Sequence, residues 1–461
     1  CIRDRPLLDP HPQESPMALP SSAASAGLAA PGPAVRPPDR RRAWLVTAMI
    51  VTFMVVNFAD KSVLGLAAVP IMDELGLSNG TYGLISSSFY LLFSLSGLVV
   101  GFFSSRVSSR TMLFVMALLW AVAQLPVLAV AAVPTLIAGR VLLGVAEGPA
   151  ASMSMHALYK WFPPERRGLP SALQIGGAAI GTLVSAPVLT WLITDFGWRS
   201  AYAALAVVSL LWALVWWRTG HDGPYDEARA PRADGARPPK PLPYRRLLLT
   251  GTMAGSVASA FGAAWALALA HAWLPAYLRT QLGLAPQAVA TAISAVSALS
   301  LVLLLTVSPL MDALKARGVS SRWSSGAAQG VAVCVAGCAM AAFPFTEGGV
   351  VRLVLIGVAF GTVAVAIPLH YVTAAEVVPA AQRGAVFGIV AATGTLPGLI
   401  APFVTGHLID AADSASAGYA TAFLVAAAVM LTAGASAVAV IRPERDARRL
   451  GLRTERVPSS H

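Results

Sequence analysis

Four charged residues sit where the chain is otherwise apolar. "LIAGRVLLGVAEGPA" (136–150) reads as the middle of a greasy helix yet carries Arg140 and Glu147, and "NFADKSVLGL" (57–66) carries Asp60 and Lys61. A charge at the centre of a membrane helix costs about 2.5–3.5 kcal/mol on translocon-based scales, so such residues are functional candidates by default. Arg140 and Glu147 are seven residues apart. That is close to two turns, so they share a face about 10 Å apart along the axis and can point into one cavity. The alternative is an ion pair that only orients helices, and burying one is seldom a net gain. Asp60 and Lys61 are neighbours and point about 100° apart. The natural arrangement has Asp60 facing Arg140 across a helix contact, with Lys61 reaching a substrate path.

Other side chains join these as candidates. Tyr90 can donate a hydrogen bond, and Gln174 is a polar contact inside a Gly-rich run. Trp265 and His271 lie about two turns apart, where either can line a cavity. His271, His156, His370 and His407 read first as hydrogen-bonded helix contacts, which leaves a histidine in a proton path open. Glu376 reads as a loop ion pair with Arg383. Cys334 and Cys338, one turn apart in an apolar run, read as small buried hydrophobes and not as a disulfide. No zinc spacing, Walker loop or dinucleotide fingerprint is present, so no metal or cofactor is expected. "GGAAIG" (176–181) lies inside a span and is no phosphate loop.

The elements that must position these residues are membrane helices. Of 461 residues 56% are hydrophobic and only 12% charged, too little charge to cover a soluble protein of this length. Apolar runs of about 20 residues recur along the chain. They fall near 44–68, 80–104, 111–132, 134–158, 168–192 and 198–218, then 247–278, 286–311, 323–343, 350–375, 384–408 and 417–441. The fold class is therefore all-α membrane protein with twelve transmembrane helices. The formal charge of +11 reflects Lys and Arg gathered in alternate loops, such as Arg40–Arg42, Arg106 with Arg110, and Lys160 with Arg166 and Arg167. By the positive-inside rule both termini are cytoplasmic, and nucleic acid is not the expected partner.

Residues 1–43 are rich in Pro, Ser and Ala, lack a signal-peptide core and are expected to be disordered. The chain does not begin with Met, so Met17 is taken as the start; N-terminal sequencing that finds residues 1–16 would overturn that. A Pro-rich polar linker, 219–246, separates six-helix bundles at 44–218 and 247–441, and a basic cytoplasmic tail follows at 442–461. The bundles resemble each other: "RRGLPSALQIGGAAIGTLVSAPVLTWLITDFGW" parallels "QRGAVFGIVAATGTLPGLIAPFVTGHLIDAAD", each with Arg-Gly at the helix entry and Ala-Pro near the far end. Such duplication, with small residues on helix faces, points to a pseudo-symmetric alternating-access transporter.

Over roughly residues 44–441 the chain resembles the major facilitator superfamily, and within it is most similar to the anion:cation symporter family of organic-acid and proton symporters. "NFADKSVLGLAAVPIMDELGLS" (57–78) resembles the family's first span, which typically reads Asn-Tyr-x-Asp-Arg. "GRVLLGVAEGPAASMSMHALYKWFPPERRG" (139–168) is close to its fourth span and following loop, and "WLPAYL" (273–278) matches the end of span 7. "GFFSSRVSSR" (101–110) departs from Gly-x-x-x-Asp-Arg-x-Gly-Arg-Arg at Ser105, Ser108 and Ser109, a weakening of the family's charge lock, of which Asp312 and Lys315 look like the second half's remnant. Lys61 stands where Arg is usual and loses bidentate carboxylate recognition. Phe93 replaces a Tyr, and Thr395 an Asn. The resemblance implies that Asp60 and Glu147 bind coupling protons, while Lys61 and Arg140 meet the substrate carboxylate.

The physical logic agrees. A dry cavity favours the neutral form of a carboxylic acid, and a neighbouring cation favours the charged form. An anion that competes for that cation strengthens proton binding, which is the linkage a symporter needs. The expected function is proton-coupled uptake of a small organic anion, with substrate contacts from Lys61, Arg140, Tyr90, Gln174, Trp265, His271 and Thr395. Phe93 and Thr395 point to an acid less hydroxylated than a sugar acid. No cofactor is expected beyond the proton gradient; the setting is a bacterial inner membrane and the working unit a monomer. The alternative is a proton-coupled efflux antiporter. Its usual Gly-x-x-x-Gly-Pro-x-x-Gly-Gly is replaced by "GAAIGTLVSA" (177–186), with Thr182 at the Pro position. A permease-like sensor would carry an added signalling domain, and a membrane enzyme a nucleophile–base pair; neither stands out.

Overall fold

The computed structural model describes residues 39–103, 107–163, 166–225, 242–379 and 382–452, and every regular element among them is helical. Met17, most of the 1–43 segment, Ser105, the middle of the linker and residues 453–461 lie outside the described residues. Twelve of the helices are long and apolar enough to cross a membrane. The first six spans are Arg40–Leu66, Asn79–Val100, Ser109–Ala129, Val133–Tyr159, Gly168–Phe196 and Trp198–Thr219. The second six are Gly251–Ala272, Pro286–Ala316, Arg322–Phe345, Gly349–Glu376, Val386–Asp410 and Ala415–Val440. Helix is what hydrocarbon demands, because each backbone group then finds its partner within its own segment. Hydroxyl caps fix several starts: Ser78, Ser108, Thr250 and Ser414 accept from the N–H three residues on.

Packing repeats with a period of six spans. Span 1 packs on span 5 as span 7 does on span 11, and span 3 on span 6 as span 9 does on span 12. The two six-helix bundles meet through spans 2 and 11 and through spans 5 and 8. Exposed side chains such as Leu210, Leu211, Leu214 and Trp217 on span 6 give the outside an apolar coat suited to lipid.

Two spans break at proline, which lacks the N–H and crowds the carbonyl four residues back. Span 4 is Val133–Glu147 followed by Ala150–Tyr159, divided at Gly148 and Pro149. Span 7 stops at Ala272 and resumes as Leu274–Thr280, with Pro275 in the new first turn, while a separate short helix, Tyr244–Leu248, precedes it. The single helix expected over 247–278 is thus three, because hydropathy runs on where backbone hydrogen bonding cannot. A further helix, Pro443–Arg449, follows span 12.

At the end where spans 1 and 7 finish, the two halves touch through backbone. The Tyr82 hydroxyl donates to Ala272 O at 2.9 Å, and the Phe403 N–H donates to Ser87 Oγ at 3.1 Å. A Cβ on Gly65 would lie 1.9 Å from His271 O, and one on Gly83 2.5 Å from Pro402 O, so only glycine allows these approaches. Asp410 accepts from the Asn79 N–H at 3.1 Å and the Gly80 N–H at 2.6 Å, closing the start of span 2 from the other half. Nearby, Arg199 grips Glu74 through both nitrogens, at 2.9 and 2.5 Å, and Trp198 Nε1 adds a third bond at 2.7 Å. The bonds from Arg199, and then from Trp198, hold the Glu74 carboxyl down at about 2.

Candidate functional site

Span 1 and span 4 cross with their polar residues at one level, and the charges sort themselves differently from the expected pairing. Lys61 Nζ donates to Asn57 Oδ1 at 2.7 Å and lies 3.2 Å from Glu147 Oε2. Helical side chains lean toward the N-terminus, so the Lys61 stem runs back over Asn57, one turn earlier. That carries the ammonium past the level of Arg140 to that of Glu147. Arg140 therefore meets no carboxylate: Nη1 donates to the main-chain oxygen of Asp60 at 3.4 Å, and the guanidinium lies 5.0 Å from the Phe89 ring centre. The Asp60 carboxylate turns toward span 3, where Oδ1 accepts from Gln124 Nε2 at 2.9 Å. The ammonium of Lys61 also lies 4.3 Å from the Phe58 ring centre and 5.6 Å from that of Phe93.

Asp60, Arg140 and Glu147 are all buried, yet much of their bonding capacity is unused. Among the described residues, Asp60 Oδ2 and Arg140 Nε have no hydrogen-bond partner, and Asn57 Nδ2 and both Glu147 oxygens lack a well-aligned one. Buried polar atoms are nearly always satisfied, so a cluster of unsatisfied ones is the mark of a site. A cavity of about 10 Å³ opens against it, room for about one water. Its walls come from spans 1, 2, 4, 7 and 11 and include Lys61, Ser86, Tyr90, Arg140 and His271. His271 Nδ1 bonds Leu267 O at 2.8 Å. A carbonyl only accepts, so Nδ1 carries the hydrogen and Nε2 is left to accept from a ligand, or to donate once protonated.

Three of the expected contacts lie elsewhere. Gln174 is buried against span 4, with Nε2 donating to Ser154 Oγ at 2.9 Å and to Ala151 O at 3.3 Å. Trp265 sits in the apolar core, its Nε1 without a partner. Thr395 meets the Ser94 hydroxyl where span 11 crosses span 2, joining the halves away from the cavity wall. His370 and His407, like His271, bond a carbonyl four residues back on their own helix, not a neighbouring one. Glu376 pairs with Lys315; Arg383 instead donates to Ala375 O and Val378 O. Asn57 and Gln124 were not singled out from the sequence. Asn57 lies one turn before Lys61, and Gln124 is the one amide in an otherwise apolar third span.

No group of three or more His, Cys, Asp or Glu able to hold a metal occurs among the described residues. Polytopic fold, duplicated halves and an intramembrane charge cluster agree with the comparisons. The hexuronate transporter of Bacillus subtilis is 26% identical over 409 residues, covering 84% of this chain and 92% of that one. A probable sulfoacetate transporter of Cupriavidus necator is 26% identical over 407 residues, covering 84% and 91%. A bacterial homologue of the human lysosomal transporter Spinster, in an inward-facing occupied conformation, shares the fold with a TM-score of 0.74 at 14% identity, covering 91% of this chain and all of that one. Residues 49–369 match the Major Facilitator Superfamily. The chain is a multi-pass membrane transport protein and not an enzyme, with relatives named as transporters of organic acids, and it belongs to the Major Facilitator Superfamily.

Proposed function

We propose that the protein is a proton-coupled symporter that takes a small organic anion across the inner membrane by alternating access. The observation that carries this reading is the Lys61–Glu147 pair at the edge of a cavity that Arg140 and His271 also line. An entering carboxylate or sulfonate competes with Glu147 for the Lys61 ammonium. Deprived of its cation inside a buried site, Glu147 then takes a proton, and anion and proton bind as a set. Asp60, held by Gln124 with one oxygen free, is the second proton site. Arg140 offers its unpaired Nε to the anion, while Tyr90 and His271 supply neutral contacts. Hexuronate and sulfoacetate in the relatives' names support a small acid of this kind.

The halves, 44–218 and 247–441, rock about this cavity, joined by the 219–246 linker, with both termini cytoplasmic in line with the positive-inside rule. The working unit in this reading is a monomer. The proton gradient supplies the energy without a bound cofactor. Proteoliposomes with an inward proton gradient should accumulate a labelled hexuronate or sulfoacetate, and an uncoupler should abolish accumulation. Uptake that ignores the uncoupler, or Glu147→Gln with full proton-driven accumulation, would overturn the proposal.

A further inference from the structure

Between spans 7, 11 and 12 the bundle leaves an open groove of about 850 Å³, away from the charge cluster. Ala254, Ala258 and Phe261 of span 7 form its floor, and Ile389 of span 11 and Thr432 of span 12 stand on its sides. Two of its three hydroxyls are spent locally: Thr393 donates to Ile389 O, and Ser436 to Thr432 O, each within its own helix. The slot is therefore lined almost wholly by hydrocarbon and suits an apolar guest.

One end of the groove is basic. Leu248 lines it, and Arg245, three residues earlier on the helix Tyr244–Leu248, shares that face. Arg245 and Arg246 are exposed, and neither guanidinium has a partner among the described residues. Arg442, a third exposed arginine, is anchored at the same end by its main-chain N–H, which donates to Thr252 Oγ1 at 3.1 Å, next to Met253 of the groove. The nearby carboxylates are committed. Asp446 takes the Thr252 N–H and hydroxyl and Arg445, and Glu444 takes the Ser321 N–H.

We infer that the groove is a lipid site, in which one acyl chain of an anionic phospholipid lies along span 7 while Arg245, Arg246 and Arg442 hold the headgroup phosphate. An apolar slot in one half of a membrane helix layer, ending in unpaired guanidinium groups, matches the two ends of such a lipid. Guanidinium binds phosphate through paired N–H donors, and basic pockets between transmembrane helices select anionic headgroups. A free anionic solute fits the rim but gains nothing from the slot.

The test is native mass spectrometry of the full chain from micelles doped with equal phosphatidylglycerol and phosphatidylcholine. The wild type should retain phosphatidylglycerol preferentially. Arg245→Gln/Arg246→Gln should weaken that retention by about thirtyfold, from about 1 kcal/mol for each arginine near the headgroup. Ala258→Trp should expel both lipids by filling the slot, and Thr432→Trp from the facing wall gives the same reading if the first variant misfolds. Equal retention of the two lipids by the wild type would overturn the inference. So would arginine variants that hold phosphatidylglycerol normally, or groove-filled variants that still retain it.

Discussion

Lys61→Met isolates the charge couple at the centre of the proposed mechanism. The ammonium lies 3.2 Å from the Glu147 carboxylate, and at an effective dielectric of about 20 their attraction is about 5 kcal/mol. Losing it leaves a bare carboxylate in a site that is 1% exposed, and breaking a buried pair costs about 3–5 kcal/mol. A cheaper escape exists. Binding a proton to an ordinary glutamate at pH 7 costs about 3.7 kcal/mol, and about 1.4 kcal/mol less for each unit of acidification. Protonation therefore caps the loss at about 3.7 kcal/mol, below the upper part of that range. The variant's folded state then holds a proton that its unfolded state lacks above about pH 4.3, so its stability rises as the pH falls toward that value. Melting temperatures in detergent should show the deficit of Lys61→Met shrinking steadily from pH 7 to pH 5. Lys61→Met/Glu147→Gln should have a smaller deficit with no such slope. A deficit independent of pH, or a double variant worse than the single one, would refute the charge-couple argument.

Other expectations can be checked alongside it. Gly65→Ala sets a Cβ 1.9 Å from His271 O, so the halves cannot close at that end; the variant should fold and bind substrate but lose transport, read as permanent accessibility of a cysteine placed at Ser86. Gln124→Leu removes the donor to Asp60 Oδ1 and should cost about 1–3 kcal/mol in unfolding free energy, with Gln124→Asn restoring less than the full amount. Glu74, at about 2 against the usual 4.5, contributes stability fully present above pH 4.5 and lost as the pH falls through about 2. The melting-temperature gap between wild type and Glu74→Gln should thus be flat from pH 8 to pH 5 and close only near pH 2.

The spans were legible because hydrocarbon imposes one rule on every residue it meets, and hydropathy reads that rule directly. Span 7 shows its limit: the apolar run extends through 278, but Pro275 starts a new helix after Trp273. The charged residues were legible for the same reason, since each stands out in a run that should exclude it. Their partners were not. Asp60 pairs with Gln124, 64 positions away, and Lys61 reaches Glu147 because its stem leans back along span 1. Those outcomes depend on how spans cross, which no local pattern encodes. Thr395 makes the same point: a polar residue on the right helix, it lies at the depth where span 11 crosses span 2.

Asp410 holds the first amides of span 2 from the opposite half of the molecule. Ser78 caps this helix from its own chain segment, yet the first two amides also borrow an acceptor from the half that moves away in the proposed cycle. When the halves part, the Asn79 and Gly80 amides pass from carboxylate to water, and the first turn of span 2 becomes free to fray. In the proposed alternating-access cycle, opening is therefore not a frictionless rotation of two rigid blocks, because each turn of it dismantles and rebuilds a helix end. Hydrogen exchange at those two amides would time the cycle with no label attached.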